Sequence, residues 1–385
     1  MRVYDSMGRL QSILIVSHRG ETNVPTGPLL EYTKKNFKQV DMIFHPLWGY
    51  PNIPSSCSRY VNGSLNDERY FSSYVTRFNM LISYFGSLLL TVLWVVKSRK
   101  RYQLFIGVNN LNAMAGLVLK RLGVVERVVF YTADYARRRY DNQLANSLYH
   151  WVDRVSVTGS DLVWNVSQRI CQVRREQGVT AQRNIHVPNG VHFDRTQLSN
   201  PDVFSRKNLV FVGHLIPSKG IDSAIRAVSD LVQNDQEIIL FIIGTGSYEY
   251  QLKELVARER LGDNVKFLGY LSNEDVLHFL STCGVGLAFY TREDEFNIYC
   301  DPVKVKEYLA CGCPVIITDV PEIGSQVEQM QMGKVIHDPA ELAGAIKALV
   351  EDDLIYCRYR ENAHAFARDF DWDDIYNRAF TRMGY

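Results

Sequence analysis

The stretch Asp301-Pro-Val-Lys-Val-Lys-Glu-Tyr-Leu-Ala-Cys-Gly-Cys-Pro-Val-Ile-Ile-Thr-Asp319 reads as a capped helix, a stop signal and a buried strand. Asp301 is a favourable N-cap, and Pro302 at the first helical position gives up only an N–H that would go unsatisfied there. Gly312 fits the position after the C-cap, and Pro314 blocks continuation. The spacing predicts a helix over 302–311 and a strand over 314–318. Lys304, Glu307, Tyr308 and Cys311 recur at three- and four-residue steps, so an amine and a carboxylate share one face beside a helix N-terminus. Such a terminus favours phosphate. A lone Lys-x-x-Glu is more often a solvated surface pair, so its meaning depends on its surroundings.

The surroundings are those of an ordinary globular chain. Its 385 residues are long for one core and typical of two domains, and 46% hydrophobic with 22% charged residues excludes a disordered chain. A net charge of +1 gives no global attraction to nucleic acid, so any phosphate recognition must be local. Seven scattered cysteines form neither a disulfide framework nor a metal pattern. Cys311-Gly-Cys313 lacks a second ligand pair, and a reducing cytoplasm is expected. The opening Met-Arg-Val-Tyr-Asp-Ser-Met-Gly-Arg has no apolar signal-peptide core, which also points away from export.

Strand-like and helix-like segments alternate along the chain, the pattern of parallel sheets covered by helices. In the first half, strands are expected over 12–17, 39–44, 103–107, 127–131, 154–158 and 184–187. The Pro-, Ser-, Gly- and Asn-rich region 46–66 reads as a long loop at a functional edge. The alternation breaks at Val187-Pro-Asn-Gly-Val191 and restarts at Asn208, with strands expected over 209–213, 238–244, 265–269, 285–289, 314–318 and 333–336. Two doubly wound domains follow, over 1–200 and 201–369. Phe370, Trp372, Ile375, Tyr376 and Phe380 stand at helical spacing, so 370–385 reads as a tail helix packing toward the first domain.

One apolar run, from Leu81 to Val96, is followed by Lys97-Ser-Arg-Lys-Arg101. Ser83, Ser87 and Thr91 interrupt it, and it is short of the about 20 apolar residues that span a bilayer. Two readings stand: a buried core helix with a solvated basic end, or a helix lying on an anionic membrane surface through residues 81–101.

The glycine loops add weight to the opening helix. Val212-Gly-His-Leu-Ile-Pro-Ser-Lys-Gly-Ile-Asp222 joins a buried strand to a helix beginning near Gly220, where free N–H groups and Lys219 can meet a phosphate. Ile243-Gly-Thr-Gly-Ser247 is a second, weaker glycine loop after a strand. With the helix that carries Lys304 and Glu307, these lie at the carboxyl ends of strands, where ligands of open α/β sheets bind.

Three segments, "VGHLIPSKGID", "NVKFLGYLSNEDVLHFLSTCGVGLAFY" and "DPVKVKEYLACGCPVIITDVPEIGSQV", together resemble the nucleotide-binding half of GT-B glycosyltransferases, especially glycosyltransferase family four and related polysaccharide enzymes. The likeness covers the second domain; Val187-Pro-Asn-Gly-Val191 and Phe370-Asp-Trp372 resemble the family's interdomain segment and tail. The resemblance implies two Rossmann-like domains facing a cleft, with a C-terminal helix crossing back to the first. It implies a donor site at Gly213, His214, Lys219, Gly244, Leu268, Lys304 and Glu307: Lys219 and Lys304 on the diphosphate or sugar, Glu307 on the ribose hydroxyls, and 265–271 on the base. Two departures stand out. His214 occupies a position usually held by Arg, and Tyr299 stands where the first Glu of the family's E-x7-E would fall; Glu293, Asp294 and Glu295 are out of register. The second departure leaves retention and inversion both open, with retention preferred.

The first domain is less legible. Tyr131-Thr-Ala-Asp-Tyr-Ala-Arg-Arg-Arg139 follows a buried strand, and inverting transfer needs a base, for which Asp134 is the candidate. Arg137, Arg138 and Arg139 are candidates for an acceptor pyrophosphate, and His18 for the same edge; a capping Asp and a solvated basic turn are the bland alternative. The family often carries a His after the strand ending here at Gly107, where this chain has Val108-Asn-Asn110. The expected activity is hexosyl transfer from a nucleotide sugar, UDP-linked before GDP-mannose, to a glycan or lipid-linked acceptor in cell-surface polysaccharide or glycoconjugate synthesis. No cofactor or metal ion is called for, no nucleic acid partner is expected, and the expected place is the cytoplasm or the inner face of the cell membrane. The competing readings are an epimerase or hydrolase of the same fold and a non-catalytic two-domain binding protein.

Overall fold

The computed structural model describes residues 12–19, 24–48, 53–71, 80–196 and 204–385, with Leu81 in its backbone only. The opening residues and the expected 200/201 boundary lie outside the described residues. The chain forms two compact units, Met1–Asn189 with Trp372–Tyr385, and Gly190–Asp371.

The first unit is built on strands β1 (Ser12–Arg19), β2 (Gln39–Pro46), β3 (Ser55–Val61), β4 (Ser64–Phe71), β5 (Tyr102–Val108), β6 (Val125–Thr132), β7 (Leu162–Asn165) and β8 (Asn184–His186). Their order is β4-β3-β2-β1-β5-β6-β7-β8. From β2 to β8 every pairing is parallel, and β3 and β4 add an antiparallel hairpin at one edge. Helices α1 (Thr26–Asn36), α2 (Met80–Lys97), α3 (Asn110–Arg121), α4 (Gln143–Gly159) and α5 (Gln168–Glu176) connect them. The central strands are buried on both faces, with Ile13, Leu14, Ile15, Leu104, Phe105 and Ile106 inaccessible to solvent, as continuous apolar runs in a parallel sheet require.

Two expectations fail in this unit. Residues 154–158, expected as a strand, are the last turns of α4: Asn142 caps that helix by accepting from the Ala145 N–H at 3.0 Å. Its buried residues Val152, Asp153, Ser156 and Val157 follow helical spacing, and the strand comes four residues later as β7. The expected loop over 46–66 holds β3 and the start of β4. They are joined by Asn62-Gly63 with φ of 48° and 82°, the positive pair a two-residue hairpin turn needs.

Helix α2 packs on the core of the first unit through buried Val95 and the partly buried Leu88, Val92 and Trp94. Its polar residues Ser83, Ser87 and Thr91 are buried. Thr91 donates to the Ser87 carbonyl at 3.0 Å, which leaves its oxygen to accept from His45 Nε2 at 2.7 Å. His45 Nδ1 then accepts from the Ser55 hydroxyl at 3.0 Å. Burial, reinforced by the neighbouring His18, lowers the His45 pKa to about 3, so this neutral imidazole pins α2 to β2 and β3. No helix among the described residues is long and apolar enough to cross a membrane.

The second unit is a six-stranded, all-parallel sheet of β9 (Ser205–Val212), β10 (Ile239–Ile243), β11 (Val265–Gly269), β12 (Cys283–Ala288), β13 (Val315–Thr318) and β14 (Gly333–Ile336), in the order β11-β10-β9-β12-β13-β14. It is wrapped by α6 (Ile221–Val232), α7 (Glu249–Arg258), α8 (Asn273–Leu280), α9 (Glu295–Tyr299), α10 (Val303–Ala310), α11 (Glu322–Gln329), α12 (Leu342–Val350) and α13 (Asp353–Arg368). The strand order reverses between β9 and β12, so their carboxyl ends form the switch point where such sheets bind ligands.

The last helix, α14 (Trp372–Thr381), belongs to the first unit. Tyr376 donates to the Pro25 carbonyl at 3.0 Å, Tyr32 donates to Asn377 at 2.7 Å, and Phe380 stacks on Tyr32 at 5.5 Å.

Candidate functional site

In the second unit the opening stretch forms α10, but its start differs from the expectation. The N-cap is Pro302, with no side-chain cap, because Asp301 turns instead to the buried Lys306 ammonium at 2.6 Å. Lys306 is almost inaccessible and needs a counter-charge more than the helix needs a cap. The other end follows the sequence: Gly312, at φ 72°, takes the C′ position. Its N–H bonds Leu309 O at 3.0 Å and that of Cys313 bonds Tyr308 O at 2.9 Å, which makes a Schellman motif. Tyr308 locks the helix to the sheet. Its hydroxyl accepts from the Val212 N–H at 2.8 Å and its ring packs where a Gly286 Cβ would lie 2.4 Å away. Tyr308→Phe strands that N–H and is expected to lower stability by about 1–3 kcal/mol, read as a lower denaturation midpoint with an unchanged slope.

The three loops above the strand ends are stitched by main-chain bonds: Gly213 N to Ile243 O at 2.9 Å, Leu215 N to Thr245 O at 3.0 Å and Gly244 N to Gly269 O at 2.7 Å. A side chain at Gly244 would place its Cβ 1.9 Å from Gly213 O, so only glycine allows this approach. Gly213, Gly244 and the half-buried Leu268 are thereby brought to one edge, although they are far apart in sequence.

Two amines stand over these loops. Lys304 Nζ lies 4.7 Å from the Phe211 ring and 5.2 Å from the Tyr290 ring, and Lys219 Nζ lies 5.3 Å from the same Tyr290 ring. The Lys304 ammonium would sit 3.7 Å from a Cβ at Gly213, which places it directly above the β9 loop. Burial, then repulsion from Lys219, lowers the Lys304 pKa to about 7, with Cys300 opposing. One turn further on, the Glu307 carboxylate accepts from the Asn273 amide at 2.8 Å. Burial pushes its pKa up while that hydrogen bond pulls the other way. His214 is exposed beside Gly213, and Tyr299 is buried at the end of α9. Tyr290 and Asn273 were missed from sequence. Tyr290 follows the carboxyl end of a buried strand, a usable signal, whereas no local pattern links Asn273 to Glu307.

The first unit has its own cavity, of about 80 Å³, at the ends of β1, β5 and β6. Its polar lining includes His18, Asn109, Asp134 and Arg139, and its apolar lining includes Phe85 and Leu148. Asp134 receives the Arg139 guanidinium through both oxygens, at 3.1 and 3.4 Å, and that guanidinium lies 5.1 Å from the Tyr149 ring. Arg137 and Arg138 are exposed outside the cavity lining, with Arg138 paired to Asp141 at 3.1 Å. The Asn112 amide spends one hydrogen on Val108 O at 2.7 Å and offers the other to His18 Nδ1 at 3.0 Å. Nδ1 therefore accepts and Nε2 carries the proton. Burial lowers the His18 pKa to about 4, and its buried Nε2 has no hydrogen-bond partner among the described residues. Asn112, which fixes this tautomer, was not foreseen.

The two α/β units match GT-B glycosyltransferase structures in fold. Residues 198–366 match the family model of glycosyl transferases group 1. Over 143 residues the chain is 32% identical to a GDP-mannose-dependent monoacylated alpha-(1-6)-phosphatidylinositol monomannoside mannosyltransferase of Corynebacterium glutamicum, a match covering 34% of this chain and 37% of that relative's length. Among solved structures, a sucrose-phosphate synthase from Thermosynechococcus elongatus superimposes with a TM-score of 0.73 at 18% identity, covering 97% of this chain and 99% of the other. Anabaena HepE in complex with UDP-glucose gives 0.71 at 17% identity, covering 97% and 100%.

Proposed function

We propose that the protein transfers a hexosyl group from a nucleotide sugar to a glycan or lipid-linked acceptor of cell-surface glycoconjugate synthesis, at the inner face of the cell membrane. The observation that carries this is the pairing of Lys219 and Lys304 around Tyr290, above the glycine loops, with Glu307 one helical turn away. The two ammonium groups receive the donor diphosphate and stabilise the charge that grows on it as the glycosidic bond breaks. The Glu307 carboxylate accepts both ribose hydroxyls, the stitched loops give the close approach, and main-chain groups around Leu268 take the base. UDP-linked donors are preferred, in keeping with the UDP-glucose complex of the HepE neighbour, with GDP-mannose second, in keeping with the corynebacterial relative's name.

On the acceptor side, the His18 Nε2–H and the Arg139 guanidinium supply donors for an acceptor head group, and Asp134 is the carboxylate within reach of its hydroxyl. Arg137 and Arg138 serve as outer phosphate contacts. Retention of anomeric configuration is preferred over inversion. The positive charge required comes from the lysines, so transfer proceeds without a metal ion or other cofactor.

The test is transfer itself. Purified protein is given labelled UDP- and GDP-sugars with and without a lipid-linked glycan extract, in the presence and absence of EDTA. Nucleotide release that rises at least tenfold with acceptor, ignores EDTA and moves label into the lipid fraction is the expected outcome. Release independent of acceptor would leave a hydrolase or epimerase instead, and the product's anomeric proton signal decides retention.

A further inference from the structure

Helix α2 is apolar on its solvent side as well as where Leu88, Val92 and Val95 meet the core. Its polar stripe faces the protein through Ser83, Ser87 and Thr91, while Ile82, Phe85, Leu89, Leu93 and Val96, at steps of three and four, are 37–57% exposed. This outward stripe runs about 21 Å at 1.5 Å per residue. At its end Lys97, Arg99 and Arg101 are exposed, while Lys100 turns back toward Asp41 at 4.0 Å. No acidic residue occurs between residues 80 and 101.

From this arrangement we infer that α2 is a membrane-docking helix, laying its apolar stripe in the headgroup–acyl boundary of an anionic bilayer with the basic end against lipid phosphates. The charge pattern selects a lipid surface over a second copy of the chain. A two-fold contact between two α2 stripes would set each basic end against a helix that offers no carboxylate. A bilayer supplies both the hydrocarbon and the anions. The polar stripe explains why the orientation is fixed: the His45–Thr91 bond and the buried serines commit that face to the protein, which leaves only the apolar face for a partner.

Phe85 connects this surface to the site. It belongs to the outward stripe and also lines the cavity that holds Asp134 and Arg139. A lipid-linked acceptor with its head group in that cavity keeps its hydrocarbon in the bilayer that α2 contacts. This link rests on the function proposed above; the docking surface itself does not.

The experiment is flotation of the full chain with phosphatidylcholine vesicles and with vesicles also containing phosphatidylglycerol, alongside nucleotide-sugar binding on the same samples. The expected result is flotation with the anionic vesicles that weakens with salt. Binding should fall about fivefold for each of Lys97→Gln and Arg99→Gln, and at least about tenfold in Leu89→Asp/Leu93→Asp, with melting temperature and nucleotide binding unchanged. Equal flotation of the Leu89→Asp/Leu93→Asp variant, or no flotation of the parent, overturns the inference. So does a parent dimer that the same variant converts to a monomer, which would assign the stripe to a second copy. Flotation without nucleotide-sugar binding by the parent would refute the function and leave the docking surface standing.

Discussion

Glu307→Ala is expected to lower kcat/KM for the sugar nucleotide by about 10²–10⁴, with little change in melting temperature. A carboxylate that accepts two ribose hydroxyls makes two charge-assisted hydrogen bonds, each worth about 1.5–3 kcal/mol, and each 1.4 kcal/mol is a factor of ten. The folded protein loses much less. In the folded protein Glu307 accepts from the Asn273 amide, and its carboxylate is disfavoured by burial, so its removal relieves as much as it takes away. Steady-state kinetics of the variant should show the loss mainly in KM for the donor, since ribose contacts hold the ground state and the transition state alike. Asn273→Ala, which leaves the carboxylate but not its support, should give a smaller loss in the same direction.

Lys304→Met is expected to weaken donor binding by about a hundredfold below pH 7 and to remove its pH dependence. The Lys304 amine of the free protein titrates at about 7. A bound diphosphate beside it favours the ammonium and raises that value, so binding takes up a proton at neutral pH. Donor affinity should therefore be greatest below pH 7 and fall by up to about tenfold per unit as pH climbs through the range between the free and bound values. Isothermal titration in buffers of different ionisation enthalpy reads the proton uptake directly. Because Lys219 contributes to the lowered value, Lys219→Ala should move the break to higher pH. For stability the sign is opposite to that of a salt-bridged lysine. The amine's folded value lies below its unfolded one, so its charge disfavours folding at all pH below the unfolded value, and in full below 7. Lys304→Met should then be neutral or stabilising at pH 7 in the absence of ligand, which separates a binding defect from misfolding.

The parallel strands and the glycine loops were legible because buried strands must be apolar and loops that approach one another must lack side chains. The same logic gave Gly312 as the end of α10. What could not be read was polar structure stabilised by partners distant in sequence. β3 and β4 carry Ser, Arg, Asp and Glu because they lie at a sheet edge, and among those residues the Asn62-Gly63 turn went unnoticed although it is a strong hairpin signal. The end of α4 carries alternating valines that imitate a strand, and only the cap at Asn142 and the burial of Asp153 and Ser156 reveal the helix. Asp301 looked like a cap because nothing local announces that Lys306 is buried and claims it. At the site, Lys219, Lys304 and Glu307 were visible as chemistry, but the Tyr290 ring beside both amines and the Asn273 and Asn112 amides that orient Glu307 and His18 depend on contacts the fold alone creates.

The most direct test of a nucleotide-sugar site in the second unit is a thermal-shift panel of UDP-, GDP-, ADP- and dTDP-sugars on the parent, Lys219→Ala and Glu307→Ala. At about a hundredfold over its dissociation constant a ligand of the native state contributes about 2.7 kcal/mol, a shift of several degrees. One donor class is predicted to raise the parent's melting temperature by that amount and to leave both variants nearly unmoved. Protection of all three proteins to the same extent, or of none by any sugar nucleotide, would contradict the assignment of Lys219 and Glu307 to the donor.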